Sequence, residues 1–168
     1  MMTRYFRIQL ALSILVLMLV SGFADAQTTT LKVEGEVEKP LTITETDFAK
    51  LPRTEVKGRD KDGKEHLFSG VAVSEILKQA GATLGGQLRG KNLTKYLIAK
   101  AVDGYQAVFA LPELDPEFTD QLIIIADKVD GQALPKGEGP FRFVVPKDKK
   151  HARWVREVVS IRVVSAIQ

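Results

Sequence analysis

Three Asp-Gly pairs, at 62–63, 103–104 and 130–131, do most to limit what this chain can become. Asp and Gly are the residue types that accept the positive φ of a tight hairpin turn. The first pair sits in the charged stretch GRDKDGK, between Thr54 to Lys57 and Glu65 to Phe68, two runs with strand character. The second separates Leu93 to Ala101 from Tyr105 to Ala110. Before the third, Leu122 to Ala126 is a continuous apolar run rich in isoleucine, the pattern of a central strand buried on both faces. The chain is therefore organised around hairpins.

The remaining segments are short. Leu31 to Val37 alternates, with Leu31, Val33, Gly35 and Val37 on one face. Lys39-Pro40 breaks it, and Leu41 to Ile43 resumes as an extended piece. Thr44 stands three residues before Asp47, a helix-start pattern leading into a turn that holds Phe48 and Leu51 and ends at Pro52. In VAVSEILKQAGA, Val73, Ile76, Leu77 and Ala80 share a helical face, and Gly81 is placed to cap it. The glycine-rich TLGGQLRGKN reads as loop. Pro112 to Phe118 predicts a short helix opened by one proline and interrupted by Pro116. Val155 to Val164, rich in β-branched residues, predicts a closing strand. Seven or eight strands and two or three short helices, without regular βα alternation, predict an α+β class with β dominant, as one compact mixed-sheet domain.

Arg4 and Arg7, the apolar run Ile8 to Val20 and the small-x-small Ala24-Asp25-Ala26 predict a secretory signal over residues 1–26, leaving 27–168 as the domain. The alternative is an uncleaved anchor helix, for which the run is short against the roughly 20 residues of a membrane span. Tyr5 and Phe6 separate the arginines, so there is no twin-arginine pair, and the signal reads as general secretory. A periplasmic or secreted protein is expected, with no membrane contact after cleavage. The net charge of +3 gives no reason to expect nucleic acid. Absence of cysteine excludes disulfides, a thiolate nucleophile and Cys-ligated metal, and two histidines argue against a His-rich metal site. No Gly-x-Ser-x-Gly, His-Glu-x-x-His or phosphate-binding glycine loop occurs. Asp60, Asp62 and Glu65 do not match a calcium loop, and His66 in the same charged hairpin is expected to be exposed.

One stretch combines a stiff scaffold with many cations: GEGPFRFVVPKDKKHARWV, from Gly137 to Val155. It runs from a glycine–proline turn into an apolar strand, through a second proline, into a basic loop. Lys147 to Arg153 reads either as a solvated basic loop or as an anion site. In the second reading Lys150, His151 and Arg153 converge with Arg142 on a phosphate, sulfate or carboxylate. Trp154 is read as core beneath the loop, with a stacking platform for a ring as the alternative. Tyr105 is an aromatic beside the Asp103-Gly104 turn, with a hydroxyl able to donate into a pocket.

Four landmarks in order, FSGVAVSEILKQAGA, AVDGYQAVFALPEL, DGQALPKGEGPFRFVVP and KHARWVREVVSIRVV, resemble the sulfite-oxidase-like, molybdopterin-binding oxidoreductase domain. The resemblance covers nearly all of the chain after the signal and is strongest from Gly131 to Val164. It implies the compact mixed-sheet fold of that domain. It also implies that Arg142, Lys150 and Arg153 occupy positions whose basic residues hold a pterin's phosphate and ring. Paired guanidinium donors suit phosphate oxygens, and a lysine adds a mobile charge.

The family's enzymes hold molybdenum through a cysteine, expected here around Val56 to Arg59, where this chain has none. Cofactor-loaded members are also usually exported folded, which the missing twin-arginine pair does not fit. The resemblance therefore implies an exported, non-catalytic binding or interaction module with an anion or pterin pocket at Arg142, Lys150, His151, Arg153 and Tyr105. Alternatives are a molybdopterin-dependent oxidoreductase whose metal site lacks thiolate, or an accessory subunit of a periplasmic redox system. Molybdopterin enters by resemblance alone; the residues themselves point to no cofactor. The partners implied are a small anionic or pterin-like ligand and a periplasmic protein.

Overall fold

The computed structural model describes residues 29–166; the secretory signal expected over residues 1–26 lies outside the described residues. Ten strands and three short α-helices follow in the order β1 (Thr30–Gly35), β2 (Leu41–Thr44), α1 (Glu45–Phe48), β3 (Thr54–Arg59), β4 (Glu65–Ala72), α2 (Val73–Gln79), β5 (Lys95–Ala101), β6 (Gln106–Ala110), α3 (Leu111–Leu114), β7 (Ile124–Val129), β8 (Gln132–Ala133), β9 (Arg142–Val144) and β10 (Val158–Ser165). The class is α+β with β dominant, as the hairpin pattern predicts.

All three Asp-Gly pairs turn hairpins: β3 to β4, β5 to β6 and β7 to β8. Their glycines take φ of 80°, 89° and 78°, and Asp130 joins Gly131 at positive φ, with 48°. One sheet orders β2-β1-β10-β5-β6 and the other β3-β4-β7-β8, with β9 also paired to β7. β1 and β10 run parallel, Lys32 opposite Ser160, which seats the first and last strands side by side within one sheet. The other pairings are antiparallel.

The core follows from strand alternation. Leu31 and Val33 of β1, Leu97 and Ala99 of β5, Phe109 of β6, and Ile161 and Val163 of β10 are all buried. In β4 Phe68 is buried and so are the adjacent Gly70 and Val71, so alternation gives way there; each buried apolar side chain contributes about 1.5–3 kcal/mol. In β7 Ile124, Ile125 and Ala126 are consecutive and buried, so this strand is covered on both faces. Gly70 allows β4 to approach β7, because a Cβ there would lie 2.0 Å from the Ile125 carbonyl oxygen. α2 buries Val73, Ile76 and Leu77 and ends with Gly81 at φ 68°. The amides of Gly81 and Ala82 donate to the carbonyls of Lys78 and Leu77, the glycine-terminated helix end that the sequence pattern predicts. Thr44 Oγ1 caps α1 by accepting from the Asp47 amide at 3.1 Å.

Several boundaries differ from the sequence expectation, each for a local reason. The helix expected from Pro112 to Phe118 stops at Leu114, because Pro116 holds Asp115 in extended backbone, φ −99° and ψ 123°. Strand β5 begins at Lys95, as Gly90–Thr94 forms a 3-10 turn that includes Leu93. The first strand closes at Gly35, φ 92°, two residues before Val37. The buried run starts its strand at Ile124, leaving Leu122 43% exposed. The closing strand begins at Val158 rather than Val155, because Glu157 takes a positive φ of 46° and the Val155 carbonyl accepts from the Phe143 amide.

Candidate functional site

The buried stretch Phe141 to Val145 bridges the two sheets. Its strand β9 pairs with β7, Ala126 opposite Arg142, and on its other side the Phe143 amide donates to Val155 and the Val158 amide to Phe141. Phe141, Arg142, Phe143, Val144 and Val145 are all buried. Even for an inward-facing arginine this is deep: Arg142 is 1% exposed. A cation there must be paired to be tolerated.

Its partners are two carboxylates. Nη1 and Nη2 donate to both oxygens of Asp60 at 2.8 Å each, and Nη1 donates also to Glu138 Oε2 at 2.5 Å. The guanidinium carbon lies 5.3 Å from the Phe68 ring centre and 5.2 Å from that of Trp154. The second Glu138 oxygen pairs with Arg156 at 3.2 Å, so one carboxylate joins two guanidiniums. Burial alone would raise the Asp60 carboxyl. Hydrogen bonds from Arg142 and the Lys61 amide, with the charges of Arg142 and His151, outweigh that and hold it at about 2. The Nε atoms of Arg142 and Arg156 are buried without a hydrogen-bond partner.

Arg153 has its own pair of acids. Nε and Nη2 grip Asp148 at 2.9 and 2.8 Å, and Nη1 grips both Glu113 oxygens at 3.0 and 2.8 Å. Its guanidinium sits 4.9 Å above Phe109. The Asp148 hydrogen bonds, against partial burial and reinforced by Glu113, raise its pKa further still. Glu113 Oε1 also accepts from the Ala110 amide at 2.8 Å, so the acid that opens α3 is the one that tethers Arg153.

His151 opens a 3-10 turn, His151–Arg153. Its Nε2 lies 2.7 Å from the Arg59 carbonyl oxygen. A carbonyl only accepts, so Nε2 carries a hydrogen and Nδ1 is left for another partner. The ring meets Trp154 edge to face at 4.8 Å. Tyr105, 49% exposed, donates its hydroxyl to the Ala152 carbonyl at 2.7 Å. Trp154 is 4% exposed and donates Nε1 to the Val145 carbonyl at 3.0 Å, which makes it core, as read from the sequence.

Tyr105 and His151 are brought together on the wall of an open cleft of about 600 Å³, shared with Lys61, Asp103, Trp154, Arg156 and Glu157. Arg142 lines a neighbouring cavity of about 340 Å³ with Asp60, His66 and Glu138, and Lys61 and Arg156 border both spaces. Arg153 lines neither space. Lys150 is exposed, makes no ion pair among the described residues and lines neither space. The five candidates thus do not meet at one point. Lys61, Arg156 and Glu157 carry no sequence signal, since strands and turns far apart bring them to the cleft. His66, expected to be exposed, is 24% exposed in its side chain and held between Asp62 and Asp130.

A thiolate-held molybdenum does not fit these residues. In β3 Val56 and Gly58 face inward and Lys57 and Arg59 outward. A Cβ at Gly58 would lie 2.6 Å from Trp154 Cη2, so the indole fills the space into which a side chain there would project. That indole is fixed by its bond to Val145 and by edge contact with Phe68 at 5.5 Å. Among the described residues no group of three His, Asp or Glu side chains is placed to hold a metal ion.

No family model matches the chain, and no curated protein matches it by sequence. Among solved structures it is similar to the sulfane dehydrogenase SoxCD from Paracoccus pantotrophus, with a TM-score of 0.65 and 22% identity over 83% of this chain. The chain spans 39% of that chain's length. At this identity the likeness is one of fold, and it supports the sulfite-oxidase-like architecture that the order of the motifs implies.

Proposed function

We propose that this chain is an exported binding or interaction module on a molybdopterin-oxidoreductase-like scaffold, without molybdenum chemistry of its own. Its ligand is a small anion or a pterin-like compound, taken in the cleft beside Tyr105 and His151. The observation that carries this reading is the state of the two arginines: Arg142 and Arg153 are each gripped by two carboxylates. Cations held this way act as internal struts and have little left to offer a phosphate. The cationic groups at the cleft are Lys61, Arg156 and, when protonated at Nδ1, His151, with Tyr105 supplying ring surface. Lys150 adds a mobile charge on the loop outside, and the periplasm is the compartment.

Metal analysis and pterin fluorescence on protein purified from its native source test the reading. The expected result is no stoichiometric molybdenum. Molybdenum near one atom per chain would overturn it, and a stoichiometric co-purifying protein would favour the accessory-subunit alternative. Melting temperature with added phosphate, sulfate or a pterin compound tests the cleft. A rise is expected in the unmutated protein and is lost in His151→Ala combined with Lys61→Ala. If the unmutated protein shows no rise with any of the three, the pocket is not a binding site.

A further inference from the structure

His66 stands outside the cleft and has no part in the proposed binding, yet both of its ring nitrogens face acids. Nδ1 lies 2.6 Å from Asp130 Oδ2 and Nε2 lies 3.1 Å from Asp62 Oδ2. Asp130 belongs to the β7–β8 turn and Asp62 to the β3–β4 turn. A neutral imidazole carries one N–H and can donate to one of these carboxylates, leaving a lone pair directed at the other. Only the imidazolium donates to both.

We propose that His66 is a protonation-dependent staple, which as imidazolium binds the β3–β4 turn to the β7–β8 turn and as neutral imidazole releases one of them. The acids are already positioned for it. Asp130 Oδ1 accepts from the Leu67 amide at 2.9 Å while its own amide donates to the Leu67 carbonyl at 2.8 Å. Asp62 Oδ1 accepts from the Lys64 amide at 2.9 Å, which fixes its other oxygen toward the ring. The titration directions agree with this geometry. Hydrogen bonds to Asp130 and then Asp62 raise His66 against partial desolvation. Asp130 is lowered first by His66, and Asp62 first by the Lys64 amide and then by His66.

The other charges around His66 come from three elements. Asp60, Lys61 and Lys64 lie on its own turn, Glu138 on the segment leading into β9 and Arg142 at the start of β9, and Arg156 beyond Trp154. Asp60, Glu138, Arg142 and Arg156 are bound to one another, so the two acids at the ring dominate its field. A raised histidine contributes stability that is complete below its unfolded value, about 6.5, and lost as pH rises through the folded one. The staple is therefore closed in acid and opens toward alkaline pH. The stapled turn also carries Asp60, which holds Arg142, and Lys61, which borders both cavities. Opening it loosens that side of the cleft whatever the cleft binds.

The experiment is an NMR titration of the histidine ring protons, with hydrogen exchange of the Lys64 and Leu67 amides corrected for intrinsic pH dependence. His66 is expected to titrate above the ordinary value of about 6.5, with protection of at least one of the two amides, that of the released turn, falling across the same interval. His66→Gln should show low protection at every pH and no step. Asp62→Asn, at an exposed position, keeps the fold and should move the His66 midpoint down toward the ordinary value. A His66 midpoint at or below about 6.5 in the unmutated protein would overturn the staple. So would an equal protection step in His66→Gln, or an Asp62→Asn midpoint that does not move.

Discussion

The stretch from Phe141 to Arg153 contains two regions that each carry an arginine and treat their charge oppositely. The inner half, Phe141 to Val145, carries one arginine and is wholly buried; the outer half, Lys147 to Arg153, carries five basic residues, of which Lys147, Lys149 and Lys150 are exposed. Charge within the buried half is neutralised to completion, Arg142 by Asp60 and Glu138. In the outer half it is neutralised in part, Arg153 by Asp148 and Glu113, while Lys150 makes no ion pair among the described residues. A cation in a sequence is thus not a cation available to a ligand. Depth decides, because a lone buried charge costs several kcal/mol and selects for its own counter-ions.

The contrast is tested most severely by Arg142→Met. The change leaves Asp60 and Glu138, 16% and 20% exposed in their side chains, facing each other without their cation. It also removes the planar group between Phe68 and Trp154. A loss of about 3 kcal/mol in urea denaturation is expected, the lower end for a broken buried pair because the acids keep some water contact. A loss comparable to that of a surface substitution would mean that the arginine is not a strut.

Asp60 sharpens the comparison through pH. Its carboxyl is held at about 2 in the fold, against about 3.9 in an unfolded chain. A carboxyl depressed in this way contributes stability that is complete above the unfolded value and disappears as pH falls through the folded one. The urea midpoint should therefore drop between about pH 4 and pH 2. The gap between the unmutated protein and Asp60→Asn should close over the same interval. Parallel curves for the two proteins would show that Asp60 does not carry this part of the acid sensitivity.

Much of the fold was legible because its determinants are local. Asp62-Gly63, Asp103-Gly104 and Asp130-Gly131 each specify a turn from two adjacent residues, and Gly81 specifies a helix end in the same way. The parallel pairing of Lys32 with Ser160 has no local signature, since two chain ends must find each other across the whole domain. The site was legible only in part, for the same reason. Asp60 lies 82 positions from Arg142, and Glu113 lies 40 from Arg153. A partial signal was present: Glu138 stands four residues before Arg142, and Asp148 five before Arg153. Each arginine of the segment carries an acid within reach, whereas Lys150, the residue that stays free, follows the run Lys147-Asp148-Lys149, whose acid Arg153 takes.

The smallest effects separate Arg153 from Lys150 within the outer half itself. Arg153 is 30% exposed in its side chain, so its two ion pairs are screened and Arg153→Ala should cost about 1 kcal/mol, part of it lost packing on Phe109. Lys150→Ala removes an exposed ammonium without an ion pair and should stay within about 0.5 kcal/mol. High salt is the discriminating measurement. It should shrink the Arg153→Ala difference, because salt screens the pairs that the arginine makes, and leave Lys150→Ala where it was. Salt-insensitive loss at Arg153 would assign its role to packing on Phe109 rather than to charge. A loss at Lys150 as large as that at Arg153 would mean that the lysine has a partner in solution, and the division between a tethered arginine and a free lysine would fail.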